Sequence, residues 1–527
     1  MTEPTFAQTG ADLLVQSLLS QGVDTCFANP GTSEMHMVAA LDRHPGVRSI
    51  LALFEGVATG AADGYARMSG KPAATLLHLG PGLANGIANL HNARKAATPV
   101  LNIVGDHATH HLEYDAPLTS DLDGLARTVS HWLGRALSAD EVAARTAEAV
   151  AATRGGPGRI ATLVMPADAA WSAPSPGAVA APAPRVAAEQ PVDEDRIRAA
   201  AALLRRHGAA GMLMLGGATL NAEGIRLAAA IARSLQCRMA GQSSNSRMQR
   251  GPGIPRVARV PYPIDQALAF MQGVRALVRI GAPTPVAFFA YPGKPSMLVE
   301  DGCEVLDPVP EGTHPLAALK ALAAFLDVDE SDAPDQPRQR PERPQGALAH
   351  QTVAEAIAST LPDHAIVVDE AVTTGRLQTY EACVAVGPHD WINNMGGSIG
   401  YGLPVALGAS IACPERRVLA LVGDGSAFYT SQALWTMARE GCDVTVVIYA
   451  NRSYAILQGE WKNMGAGEAG RSARDLLRLD RPDPDWVAIA RGHGVPALRV
   501  DDAEGLCTAL ERSYATSGPM LIEAWLD

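Results

Sequence analysis

The sequence predicts three α/β domains, each built on a parallel sheet, and two observations carry that expectation. Short apolar runs alternate with alanine-rich stretches of helical pattern along the whole chain, the signature of repeated strand–helix–strand units. Two proline-rich connectors, Pro166 to Pro191 and Asp327 to Pro344, interrupt the alternation and leave units at 1–170, 191–328 and 345–527. The length of 527 residues fits this count, because a single core stops growing well before that size.

In the first unit GADLLVQSLLSQG reads as a helix, DTCFANPG as a strand and turn, and SILALFE as a strand. GVATGAADGYARMSG reads as a helix packed closely through Gly and Ala, and ATLLHLGPG and TPVLNIVG as strands ending in glycine turns. The middle unit supplies GMLMLGG, a helix rich in Ala and Ile, LQCRMAG and VRALVRIG. The last unit supplies HAIVVDE, a glycine-rich segment running into GLPVALGASIAC, then RRVLALVGDG, the helix SQALWTMAREG, VTVVIYANRS, GVPALRV and GPMLIEAW. No short-period repeat is visible, although the first and last units share a gross rhythm.

Composition narrows the function classes. With 47% apolar and 19% charged residues the chain buries cores rather than staying disordered. A net charge of −12 and the lack of a basic stripe argue against nucleic acid as a partner. Seven scattered cysteines without a CxxC pair point to a reducing, cytoplasmic setting. The N-terminus lacks the basic and apolar regions of a signal peptide, and no apolar run is long enough to span a bilayer, so neither secretion nor a membrane partner is expected.

Sites in parallel α/β units lie beyond strand carboxyl ends. The sharpest candidate is LALVGDGSAFYTSQALWTMAREGCDVTVVIYANRSY, where one apolar strand delivers Gly423-Asp424-Gly425-Ser426 to a helix start and a second ends at Asn451. A carboxylate and a carboxamide on neighbouring strands offer hard oxygen ligands to Mg²⁺, and a glycine turn at a helix start approaches phosphate oxygens closely. A surface turn and a helix-capping asparagine are the competing reading, which the two strand contexts outweigh. Glu55, at the end of LALFE, is equally compatible with an exposed surface carboxylate when taken alone.

Five stretches, ANPGTSEM (28–35), ILALFEGVATGAADGYA (50–66), LLHLGPG (76–82), GYGLPVALG (400–408) and VGDGSAFYTSQALWTMA (422–438), together make the chain resemble the thiamine diphosphate-dependent 2-oxo acid decarboxylases and acetolactate synthases, most of all the benzoylformate decarboxylases. The resemblance implies that the outer units have the thiamine diphosphate-binding fold, pyrimidine-binding first and diphosphate-binding last, around a Rossmann-like middle. It implies that Asp424, Asn451 and the Ser453 carbonyl hold Mg²⁺, and that Gly423, Gly425, Ser426, Thr373 and Tyr454 complete the cofactor site. Ala450 replaces the first of the family's paired asparagines and leaves the ligand, Asn451, in place. Ile399 takes the role of the aliphatic wedge that bends the cofactor. Glu55 takes that of the glutamate that protonates pyrimidine N1′, so that the 4′-imino group removes the thiazolium C2 proton. His78 matches an active-site histidine, and Thr32 stands at the serine that meets the substrate carboxylate. The family's site forms between the first unit of one subunit and the last unit of another, which implies at least a dimer, commonly a tetramer.

The substrate pocket departs from the benzoylformate pattern. GAPTPVAFFAYPGKPS carries Phe288 and Phe289 but no histidine where that enzyme has its second one. His110 and His111, in VGDHATHHLEYD, stand as substitutes or as surface residues. Ile456 and Glu460, four apart in the helical SYAILQGEW, share a face, and Ile456 narrows the space for a phenyl group. The expected activity is non-oxidative decarboxylation of a 2-oxo acid through an enamine, with a small aliphatic or polar acid as eligible as benzoylformate. The alternative is acetolactate synthase-like carboligation, in which the enamine attacks a second keto acid. FAD is not expected, since GAPTPV replaces the flavin-associated, arginine-containing segment. A nicotinamide oxidoreductase lacks its GxGxxG loop here, and an inactive relative would not need Glu55, Asp424 and Asn451 together.

Overall fold

The computed structural model describes residues 8–182, 190–373, 375 and 377–526. The first sheet holds β1 (Thr25–Asn29), β2 (Arg48–Leu51), β3 (Ala73–Leu77), β4 (Val100–Asp106), β5 (Trp132–Arg135) and β6 (Ile160–Pro166). All pair in parallel, in the order β2-β1-β3-β4-β6-β5. The middle stretch contributes β7 (Gly211–Leu215), β8 (Arg238–Gly241), β9 (Met248–Arg250), β10 (Ala258–Arg259), β11 (Ala276–Ile280) and β12 (Glu304–Leu306). Five of these form a parallel sheet, β10-β8-β7-β11-β12, and β9 leaves it. The last sheet holds β13 (Ile366–Glu370), β14 (His389–Asn393), β15 (Val418–Gly423), β16 (Val444–Ala450), β17 (Ala497–Val500) and β18 (Met520–Trp525).

Read from β14 to β17, the last sheet has the strand order of the first: second, first, third, fourth, sixth, fifth. The shared rhythm of the outer units is thus a shared topology. Strands β4, β6, β13 and β16 are buried along their whole length, as parallel strands covered by helices on both faces must be, and their unbroken apolar runs follow from that.

Three local expectations change. The connector from Pro166 begins instead as the end of β6 and a short helix, Ala167–Trp171. Its small alanines bury against the first helix, where Gly10 donates its N–H to the Ser172 carbonyl at 3.0 Å. Residues 183–189 of that connector lie outside the described residues. LHLGPG does not form a glycine turn, because Leu79 opens the helix Leu79–Lys95. Pro81 sits in its first turn, where a missing N–H costs no helical hydrogen bond. Finally, β9 pairs antiparallel with β14 in the last sheet, closing an edge that would otherwise be open.

Helices Glu55–Ser69 and Gly402–Ala412 join the outer units in near-backbone contact. A methyl group on Gly64 would lie 2.1 Å from the Val405 carbonyl oxygen, and one on Gly408 1.9 Å from that of Ala61. One turn beyond Asp63, Arg67 pairs with its carboxylate at 2.7 Å, both side chains almost wholly buried. Arg67 also donates to the carbonyls of Asn393 at 2.8 Å and Ser246 at 3.3 Å and to the Tyr401 hydroxyl at 3.4 Å, so one guanidinium ties all three stretches. Replacing it leaves a buried carboxylate unpaired, a loss of about 3–5 kcal/mol. Arg67→Met is therefore expected to lower the urea unfolding midpoint strongly, while Arg127→Met, which removes an exposed pair with Asp123, moves it little.

Candidate active site

In the last unit, β15 ends at Gly423 and Asp424 opens a one-turn helix, Asp424–Ala427. The Asp424 carboxylate accepts the N–H of Gly425 at 2.8 Å and of Arg452 at 2.6 Å. Burial outweighs these bonds and pushes its pKa up to about 6. Asn451, just beyond β16, accepts the Ser453 N–H on its Oδ1 at 3.0 Å. The Tyr454 ring lies on Gly425, where a methyl would approach its Cε1 to 2.4 Å. Gly423, Asp424, Gly425, Ser426, Asn451, Ser453 and Tyr454 are therefore one cradle of hard oxygens and close backbone at two adjacent strand ends.

Ile399 lies half-buried in the loop after β14. Asn394 accepts the N–H groups of Gly396 and Gly397 at 3.0 and 2.9 Å. From the first unit, Asn92 brackets Ser398, accepting its N–H at 3.1 Å and donating to its carbonyl at 2.9 Å. Below the loop, Glu370 at the end of β13 accepts the N–H of Tyr401 at 3.0 Å and of Gly402 at 2.7 Å. Its complete burial pushes the carboxyl up to about 7. Thr373 follows three residues later and is exposed.

In the first unit, Glu55 begins its helix, is almost fully buried, and accepts the Asn85 side-chain N–H at 3.0 Å. His78 leaves β3 as the cap of the next helix. The two flank Gly82, whose added methyl would lie 3.2 Å from Glu55 Oε1 and 3.3 Å from His78 Cβ. Thr32 is exposed on the loop after β1, beside Gly31, over which the His78 ring lies. Thr32, Glu55 and His78 thus follow the neighbouring strands β1, β2 and β3 at one end of the sheet. Leu79, Val372 and Arg452 adopt φ of +48°, +48° and +53°. These three directly follow His78, precede Thr373 and follow Asn451, while five further non-glycine residues at positive φ lie elsewhere among the described residues.

The pocket residues are distributed differently from expectation. Phe288, rather than Phe289, meets the Ile399 loop: a methyl on Gly397 would lie 2.8 Å from its ring tip. Phe289 stacks edge-on against Phe288 at 4.9 Å, and both rings are about half exposed. Ile456 and Glu460 both lie on the helix Ala455–Asn463. Glu460 has Tyr291 of the middle unit beside it, whose phenol is raised by burial and then by the Glu460 charge. His110 and His111 sit exposed on the turn Thr109–Tyr114, His110 3.9 Å from Asp168 and His111 facing the rings of His107 and Tyr114. Glu34, Asn85, Glu370 and Tyr291 went unnoticed in the sequence. Only Glu370 carried a signal, since HAIVVDE ends an apolar run in a carboxylate as LALFE does.

The N-terminal TPP binding domain of thiamine pyrophosphate enzymes matches residues 8–129, and the C-terminal TPP binding domain matches residues 373–524. IlvX of Mycobacterium tuberculosis, named as an acetolactate synthase large subunit, is 49% identical over 98% of each chain. The chain belongs to the thiamine pyrophosphate enzyme family. Benzoylformate decarboxylase of Pseudomonas aeruginosa is 28% identical over 96% of this thiamine pyrophosphate enzyme and 96% of its own length. In fold, the enzyme superposes on the 4-hydroxybenzoylformate decarboxylase of Rhodococcus jostii with a TM-score of 0.82, covering 99% of both chains at 24% identity. It is a thiamine diphosphate-dependent enzyme of the decarboxylase and acetolactate synthase class.

Glu370 yields a pH test. A carboxyl whose folded-state pKa lies near 7, above its ordinary 4.5, binds its proton more tightly in the folded chain, so it loses stability for the protein as pH rises through that window. The unfolding free energy of wild type minus that of Glu370→Gln is expected to fall between pH 4.5 and 7 and level off above. A difference that is flat or rises over that range contradicts the assignment.

Proposed function

We propose that the enzyme decarboxylates a 2-oxo acid without oxidation, as benzoylformate decarboxylase does, using thiamine diphosphate and Mg²⁺. Supporting the cofactor are hard oxygen donors at two strand ends around Asp424, a carboxylate raised by burial and suited to a cation, with Gly425 and Tyr454 closing the cradle. Asp424, Asn451 and the Ser453 carbonyl would hold the metal, Gly423, Gly425 and Ser426 the diphosphate, and Thr373, Tyr454 and Ile399 the remainder. Bound thiamine diphosphate supplies the carbon nucleophile and the electron sink. Glu55 holds the proton at the pyrimidine N1′ nitrogen, Thr32 orients the substrate carboxylate, and His78 delivers a proton to the carbon that has lost CO₂.

The observation that supports decarboxylation is the placement of His78 beside Glu55, its Cβ across Gly82 from the Glu55 carboxylate, which brings a second proton-bearing residue to the neighbouring strand end. The units 1–170, 191–328 and 345–527 then serve as pyrimidine-binding, central and diphosphate-binding domains of a cytoplasmic homo-oligomer, at least a dimer and preferably a tetramer. Large apolar side chains exposed beside both half-sites, Leu53, Phe428, Tyr429, Leu457 and Leu476, support burial against a second copy. Carboligation to acetolactate is the second reading, favoured by the name of the 49% identical relative. The Phe288, Ile456, Glu460 and Tyr291 surroundings favour a small aliphatic or polar acid.

Purified enzyme with Mg²⁺, thiamine diphosphate and a panel of 2-oxo acids decides between the two when CO₂, aldehydes and acyloins are followed together. Aldehyde matching the CO₂ released is the expected result, and acetolactate from pyruvate overturns it. Glu55→Gln is expected to lower turnover by about 10²–10⁴-fold with the cofactor still bound.

A further inference from the structure

His78 does not stand alone. Its Nδ1 lies 2.7 Å from Oε2 of Glu34, whose side chain has no solvent exposure while the imidazole is about one-fifth exposed. The same oxygen accepts the Gly31 N–H at 2.8 Å, and Oε1 accepts the Ser33 hydroxyl at 2.7 Å. The Ser33 oxygen is itself 3.3 Å from Nδ1. Space for the pair exists only because two neighbours lack side chains. A methyl on Gly31 would sit 2.2 Å from Nδ1, and one on Gly105, in β4, 1.8 Å from Glu34 Oε1. The strained φ of Leu79 then turns the chain away directly after His78.

An ionised carboxylate only accepts hydrogen bonds, so the Glu34 contact requires the proton on Nδ1 and leaves Nε2 as the nitrogen that gains and loses one. We propose that Glu34 is a positioning residue for His78. It holds the ring in the Nδ1–H form and leaves Nε2 as the nitrogen that exchanges its proton. The inference rests on the proposed role of His78 as proton donor. In that step the Nε2–H bond breaks, the proton goes to the substrate carbon that has lost CO₂, and solvent returns a proton to Nε2. The charged groups around the ring are Glu34 at Nδ1 and Glu55 across Gly82. Asp106, beside Gly105, is held by Arg135 at 2.6 Å.

The primary test needs neither variant nor cofactor. In ¹⁵N-histidine-labelled wild-type protein, with the His78 signals assigned by their loss in His78→Asn, Nδ1 is expected to carry the proton in the neutral ring. A neutral ring protonated on Nε2 overturns the proposal. In the loaded enzyme, Glu34→Gln is expected to lower kcat by about tenfold or more, short of the 10²–10⁴-fold that a positioned acid itself contributes, with KM little changed. Glu34→Asp restores part of kcat. If His78→Asn alters turnover while Glu34→Gln leaves turnover and tautomer unchanged, the positioning role fails. If His78→Asn leaves turnover and product unchanged, it is the role of His78 that fails.

Discussion

The rest of the structure depends on how closely the helices Glu55–Ser69 and Gly402–Ala412 approach. Each carries a functional loop at its amino end: the first opens with Glu55, and the second follows Ile399 and Gly400 directly. With Gly64 against the Val405 carbonyl and Gly408 against that of Ala61, no Cβ separates the helices, and a shift of either moves both loops. The buried Asp63–Arg67 pair, extended to Tyr401 and Asn393, fixes the axial position of the contact. Packing of this kind is directionless on its own, and the bonds that Arg67 makes to Asn393 and Tyr401 supply the register.

From that contact outward, polar groups set the loops. Asn89 and Asn92 reach from the first unit to Gly400 and Ser398, and Glu370 takes the N–H groups of Tyr401 and Gly402 from below. A carboxylate at a helix amino end satisfies donors that have no helical partner. The loop that carries Ile399 is thus held from two domains at once, as the wedge role proposed for that residue requires.

How much of this was legible in the sequence follows from what sequence patterns encode. Strand ends were legible because an apolar run that stops at a carboxylate or amide marks its own boundary, which singled out Asp424 and Asn451, whereas Glu55 stood out only through the family resemblance. The matching topology of the outer sheets was visible only as rhythm, because strand order is set by crossovers rather than by local period. Glu34 was not legible as the partner of His78: the two are far apart in the chain and meet only when β1 and β3 pair. The three-residue β9 is too short for any periodicity to register. Phe288 and Phe289 were separable only once Gly397 was placed beneath one of them.

The two half-sites are built from separate segments, one from residues around 31–86 and the other from residues 370–454, and in the proposed homo-oligomer they act together across two copies of the chain. Co-expression of Glu55→Gln and Asp424→Asn chains tests it most directly. Each variant alone is inactive. A mixed dimer pairs the intact first unit of one chain with the intact last unit of the other, so random assembly restores about one quarter of wild-type turnover. No recovery in verified mixed oligomers would contradict the account and place each complete site within a single chain.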